Sequence, residues 1–381
     1  MKKAVMLAAL TGAFATAAHA QTSVTLYGLI DAGITYTNNQ GGHSNVQETD
    51  GAINTSRWGL RGSEDLGGGL KAIFTLENGF NVSTGALRQD GRLFGRQAFV
   101  GLSDNQYGSV TLGRQYDSVV DYLGPLALTG TQYGGTFFAH PFDNDNLDND
   151  FRIDNSIKYQ SANYSGFKFE GLYGFSNEAG EFSNNRAYSF GASYNYLGLT
   201  VAAGYLQINN DVTSAVITNT NGVLDGDNTF FAGRQRTWGA GVKYVFGPAS
   251  AGFVFTQTML NQAFGISASQ SGVTGGLALN GGSARFNNYE VNGVYYITPA
   301  ITLAGNYTYT DGSLNGADPK WNQVDIQAAY LLSKRTELYV QGEYQHVIEA
   351  GLNIGAMING LSEASGNNNQ VAVTAGIRHT F

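Results

Sequence analysis

The feature that most constrains this chain is a period of two. From Val24 onward it returns repeatedly to segments in which apolar and polar side chains alternate. Val24, Leu26, Ile30, Ala32, Ile34 and Tyr36 share one face of the first segment, and Thr25, Tyr27, Asp31 and Thr35 share the other. Phe167, Phe169, Tyr173 and Phe175 oppose Lys168 and Glu170; Leu338, Val340 and Tyr344 oppose Glu337, Tyr339, Gln341 and Glu343. Alternation of this kind marks a strand with one greasy face. Sixteen strands are expected, near residues 24–36, 56–64, 70–77, 92–103, 108–116, 151–161, 166–175 and 186–196, then 199–209, 234–246, 249–258, 286–297, 301–309, 321–332, 335–346 and 370–381.

The connections alternate too. Short ones (65–69, 104–107, 197–198, 247–248, 298–300, 333–334) take turns with long ones (38–55, 81–91, 117–150, 176–185, 210–233, 259–285, 310–320, 347–369). All five prolines fall in connections, where no ladder hydrogen bond is lost. Short turns at one end and long loops at the other describe an all-β, transmembrane antiparallel barrel with periplasmic turns and extracellular loops. A sheet in lipid has to close, because an open edge leaves backbone groups unpaired. A secreted sandwich seldom needs this many strands, and no fixed repeat supports a solenoid or propeller.

Lys2 and Lys3, an apolar run over 4–17 and Ala18-His19-Ala20 form a secretory leader with a cleavage site, so residues 1–20 are expected to be removed and 21–381 to form one barrel domain. Removal takes the formal net charge from −8 to −10, which argues against nucleic acid as a partner. There is no cysteine, so closure relies on hydrogen bonds and packing. After the leader no apolar run is long enough for a membrane helix. Tyr and Phe gather near strand ends, as in Tyr36, Phe80, Phe175, Phe246 and Tyr309, which suits aromatic belts.

The stretch 117–150 breaks the pattern. It carries Asp117, Asp121, Asp143, Asp145, Asp148 and Asp150 without a Lys or Arg, and Val119, Val120, Leu123, Leu126, Phe137 and Phe138 besides. A long unpatterned loop is functional or disordered, and its apolar content favours a loop packed into the barrel mouth. Its run 143–150 reads as a solvated acidic rim; it lacks the Gly and distal Glu of a calcium loop. On the inward parity stand Arg57 and Arg61, Lys71, Arg96, and Arg152 with Lys158. They form either a basic wall or ordinary wall residues paired with Asp31, Glu64 and Glu77. Arg114 sits on the outward parity at a strand end.

Several stretches resemble one family: SVTLYGLIDAGITYTNN at 23–39, SRWGLRGSEDLGGGLKAIFTLENGF at 56–80, GRQAFVGLSDNQYGSVTLGRQYDSVVDYL at 95–123, NSIKYQSANYSGFKFEGLYGF at 155–175, and GIRHTF at the terminus. Together they look like a general-diffusion outer-membrane porin of Gram-negative bacteria, of the β-proteobacterial branch. The resemblance implies a homotrimer of sixteen-stranded barrels in the outer membrane, passing ions and small hydrophilic solutes, with the third long loop bent into the pore. It implies an arginine ladder resembling Arg57, Arg96 and Arg152, with Arg61 beside it, facing Asp117 and Asp121; Asp31, Lys71, Glu77 and Lys158 line the pore elsewhere. The terminal alternation ending in Phe381 resembles the signal read by the outer-membrane assembly machinery, and lipopolysaccharide is an expected neighbour. No cofactor or metal is expected. The alternatives are a substrate-specific channel and a structural or adhesive barrel working through its loops. An enzyme is disfavoured: HExxH, GxSxG and a cysteine nucleophile are all missing, and the mature histidines are scattered at His43, His140, His346 and His379.

Overall fold

The structure, a computed structural model, describes residues 23–213, 216–217, 222–224, 226–349, 351–352 and 354–381. The expected leader lies outside the described residues. Sixteen staves form the wall. The first eight are β1 (Ser23–Gln40), β2 (Arg57–Gly67), β3 (Leu70–Gly79), β4 (Gln97–Asp104), β5 (Gly108–Gln115), β6 (Ile153–Gln160), β7 (Phe167–Gly174) and β8 (Arg186–Tyr196). The second eight are β9 (Leu199–Asn209), β10 (Phe230–Phe246), β11 (Ala249–Ile266), β12 (Ala284–Thr298), β13 (Ile301–Ser313), β14 (Lys320–Leu331), β15 (Thr336–Ile348) and β16 (Asn369–Thr380). Consecutive staves pair antiparallel, and β1 pairs with β16 from Leu29↔Thr380 to Thr37↔Ala372, closing the sheet.

Alternation decides which way side chains face. Val24, Leu26, Val100, Leu112, Phe190, Ile326 and Val340 are exposed on the outside. Thr35, Thr237, Thr256, Gln341 and Thr374, on the opposite parity, are fully buried against what fills the interior. In lipid this puts the apolar set in hydrocarbon and the polar set in the lumen.

Three details depart from the sequence expectation. The long strands β10 and β11 have 17 and 18 residues. That exceeds the ~9–11 that cross a bilayer, so they climb past the membrane, and the connections expected over 210–233 and 259–285 are shorter than read. The stretch 92–96 precedes β4 as loop. The second stave is interrupted. The lower half of β1 pairs with β2, and its upper half pairs with a separate strand, His43–Asp50. Between them, residues 51–56 turn inward, with Ala52 and Ile53 fully buried.

The stretch after β5 runs inside the barrel. It begins with helix α1 (Ser118–Leu123), capped by Asp117, whose carboxylate accepts the Val119 and Val120 amides at 2.8 and 3.3 Å. Glycines on the inner wall make the approach possible. A Cβ on Gly191 would fall 2.6 Å from the Tyr122 ring, and one on Gly204 would fall 3.2 Å from the Val119 Cα. Val119, Leu123 and Leu126 then pack with Leu172, Leu206, Ile208 and Val254. Apolar side chains on the inner face of a water-filled wall would be costly; buried under α1, each is worth about 1.5–3 kcal/mol.

Candidate functional site

The inward stretch crosses the interior and is pinned to the far wall by buried polar groups. His140 sits between two carboxylates, its Nδ1 2.7 Å from Asp145 and its Nε2 3.0 Å from Glu290 on β12. All three side chains are fully buried. Burial alone would lower the imidazole pKa, but Asp145 and Glu290 hold it well above its ordinary value. Burial likewise acts to raise Asp145, and His140 outweighs it, so that carboxyl is held low. Glu290 also accepts the Leu128 amide at 3.0 Å. Asn144 and Asn288 exchange hydrogen bonds of 3.2 and 2.9 Å, and Gln341 donates to the Gly134 carbonyl at 2.6 Å. The acidic run expected as a solvated rim is therefore largely structural. Asp143 and Asp145 are buried, and Asp143 accepts the amides of Asp148 and Asp150 at 2.9 and 3.2 Å. A bent peptide has many amides to satisfy, and carboxylates facing inward satisfy them.

The near wall is basic. Arg96 lies 2.8 Å from Glu77 through Nε and donates to the Tyr116 hydroxyl at 2.8 Å. The guanidinium carbons of Arg96 and Arg152 lie 6.0 and 5.7 Å from the centre of the Tyr116 ring. Arg57 is steadied by the Thr55 carbonyl, which accepts from its Nε at 2.8 Å. Between this wall and the inward stretch lies a space of about 230 Å³, with Arg57, Arg96 and Tyr116 on one side and Asp121, Asp148 and Asn149 on the other. It adjoins a second space of about 180 Å³ bordered by Arg88, Arg152, Asp148 and Asp150. Burial, then the neighbouring charge of Asp143, pushes the Asp148 carboxyl up to about 8. Burial, then Asp148, does the same to Asp150.

Of the expected site residues, Arg57, Arg96 and Arg152 meet around Tyr116. Arg61 stands apart, its guanidinium 4.5 Å from the centre of the Tyr27 ring. Asp121 borders the space but is paired with Lys158, which also reaches the Tyr116 carbonyl at 3.0 Å. Asp117 does not face the arginines. It is fully buried as the α1 cap, also accepting from Asn146 at 2.9 Å, and burial pushes its carboxyl up to about 6. Asp31 does not line an open lumen either. The inward turn 51–56 covers it, and its carboxylate accepts the amides of Ile53 and Asn54 at 2.9 and 2.8 Å and the Tyr339 hydroxyl at 2.6 Å. Glu77 is a clamp, bonded to Arg96 and to the Tyr27 hydroxyl at 2.9 Å. Lys71 pairs in register with Asp65 and Ser103, at the short-turn end. Arg114 sits at a bulge in β5 and bonds Asp154 at 2.7 Å and Asp227. The sequence reading missed Tyr116, Asp148 and the His140 bridge. Tyr116 follows the strand with no distinguishing signal, whereas the aspartate-rich run signalled polar chemistry but not its direction.

A closed transmembrane barrel enclosing an aqueous space lined by opposed charges is an outer-membrane channel for solutes, not an enzyme. Residues 4–347 match the Gram-negative porin family, and the chain belongs to it. An outer membrane porin protein of Bordetella pertussis is 35% identical over 378 residues, covering 90% of this chain and 94% of the relative. Outer membrane porin protein 32 of Delftia acidovorans is 29% identical, with all of both chains covered. Among solved structures, the anion-selective porin from Comamonas acidovorans superposes with a TM-score of 0.73 at 25% identity, covering 95% of this chain and 100% of that one.

Proposed function

We propose that ions and small hydrophilic solutes diffuse passively through this barrel and that their passage is set by the space between Arg57, Arg96 and Arg152 and the inward stretch. The observation that carries this reading is the pairing of a basic wall with Asp121 and Asp148 across a space of about 230 Å³. Fixed positive charge along one side of a narrow aqueous gap, facing a side without net charge, creates a transverse field that orients dipolar solutes. The charges are unequal at neutral pH. The arginines stay ionised, Asp121 is neutralised by Lys158, and Asp148 holds its proton up to about pH 8. The surplus is positive, so the channel prefers anions, in keeping with the anion-selective porin it resembles.

The same reading has residues 1–20 removed as a leader and 21–381 forming one barrel domain, with 117–150 as the constriction loop. The barrel assembles as a homotrimer among outer-membrane lipid and lipopolysaccharide, delivered by assembly machinery that reads Phe381. The test is planar-bilayer conductance of the refolded mature chain, with the reversal potential taken across a salt gradient at pH 7. Stepwise openings with an anion-favouring sign are expected. A folded, inserted protein that does not conduct would refute the channel reading of this space, and a cation-favouring sign would refute the charge balance.

A further inference from the structure

Behind the inward stretch, the far wall holds a patch of oxygen atoms with nothing to bond. Asn306 on β13, Asp325 on β14 and Glu343 on β15 stand opposite one another in register. Gln341 lies in the adjoining inward row of β15, opposite Gln327. Side chains directly opposite in a sheet start about 5 Å apart and diagonal ones about 7–8 Å, so these four enter one small volume. All are buried, Asp325 and Gln341 at 0% exposure, Glu343 at 2% and Asn306 at 6%. Asp325 Oδ2 accepts from the side-chain amides of Asn306 and Gln323, at 2.9 Å each. Its Oδ1, both carboxylate oxygens of Glu343 and the amide oxygens of Asn306 and Gln341 are buried without a hydrogen-bond partner. Among the described residues, neither Asp325 nor Glu343 has an ion pair. His140, the cation of this wall, already serves Asp145 and Glu290.

The inward stretch roofs this patch. Gln341 donates to the Gly134 carbonyl at 2.6 Å and Gln323 to the Ala139 carbonyl at 3.3 Å, and Phe137 and Phe138 pack with Ala304, Ala329 and Ala372 around it. Ala372 follows Glu343 in the row, so only a methyl group stands beside that carboxylate. Buried charges are retained where they are paired or coordinate a metal. The chemistry that is missing here is specific, because the unpartnered atoms are all oxygens. Two carboxylates with side-chain carbonyls suit a hard divalent cation and balance its charge. Calcium takes about six to eight such oxygens in irregular geometry, whereas magnesium demands a near-ideal octahedron.

We propose that Asn306, Asp325, Gln341 and Glu343 hold one calcium ion, taken up as the inward stretch seats, which braces that stretch against β13, β14 and β15. The site stands whether or not the space on the opposite wall governs permeation. The test is to refold the mature chain in calcium and in EGTA, remove loose metal by gel filtration, and measure bound calcium by elemental analysis and melting by heat-sensitive gel migration. The wild type is compared with D325N/E343Q and with Glu343→Gln alone. Refolded in calcium, the wild type should keep one ion per chain and melt about 5 °C or more above the EGTA sample, the order expected of a ligand at about a hundredfold its dissociation constant. The double variant should keep no ion and melt at one temperature in both buffers. A wild type that folds in calcium and retains none would overturn the proposal and leave the two carboxyls to protons. Equal calcium retention by the wild type and the double variant would also overturn it, placing the ion elsewhere. The wild-type measurement needs no variant to fold, and Glu343→Gln, which preserves the side-chain shape, repeats the comparison should the double variant fail to fold.

Discussion

Arg96 is held by Glu77 and Tyr116 so firmly that its charge is fixed in position. Replacing it by Gln removes one positive charge from the narrow space without emptying it. A unit charge about 4 Å from a passing ion is worth about 1 kcal/mol in water, so Arg96→Gln should lower the anion-to-cation permeability ratio by up to about fivefold, read as a shift in reversal potential. The loop carboxyls give the same quantity a pH dependence. Asp148 and Asp150 are protonated below about pH 8 and ionised above it. Raising the pH from 7 to 9 should therefore move the reversal potential towards cations, whereas lowering it from 7 to 6 should change it little; a profile flat to pH 9 would contradict that assignment. His140 is the opposite kind of residue, buried and remote from solutes. Its removal leaves Asp145 and Glu290 facing each other without a cation. Breaking such a buried pair costs about 3–5 kcal/mol, so His140→Ala should expose the inward stretch to protease at a lower temperature than in the wild type.

The inward stretch is the element whose fold is least visible in sequence. Its existence was legible, because apolar residues among aspartates must pack somewhere. Its contacts were not, since they depend on which inner-wall positions are glycine, and in an alternating strand an inward Gly reads as one more small residue. Gly191 and Gly204 gain their meaning only from α1 across the lumen. Gly204→Leu should push α1 off the wall and into the narrow space; single-channel conductance should fall and become noisier, with the barrel itself still folded. The staves show the converse. Their period of two survives any rearrangement of loops, so all sixteen could be read, and their inward and outward faces with them. The grouping of Arg57, Arg96 and Arg152 could be anticipated because each stands at or directly before the start of a stave, β2, β4 or β6; the surroundings of Asp31 and Asp117 could not. Each of those is covered by backbone that folds back over it, and parity along a strand says nothing of what comes to lie on top.

At the scale of the whole barrel, the last strand closes what the first begins. The Phe381 amide donates to the Gly28 carbonyl at 3.0 Å, and Gly28 donates back to Phe381 at 3.1 Å. Deleting Phe381 removes both bonds and the terminal ring; folding yield into vesicles, followed by the heat-sensitive migration of closed barrels, should fall relative to the full chain.

The interrupted second stave has a consequence in time. The turn that bridges the interruption is tied to Asp31, and Asp31 is tied to Tyr339, a residue 308 positions further along the chain. Contacts so distant in sequence form late and slowly. The clamp over that turn is therefore complete only after β15 has arrived, and a chain stalled during synthesis or delivery keeps an unlatched notch beside its first strand.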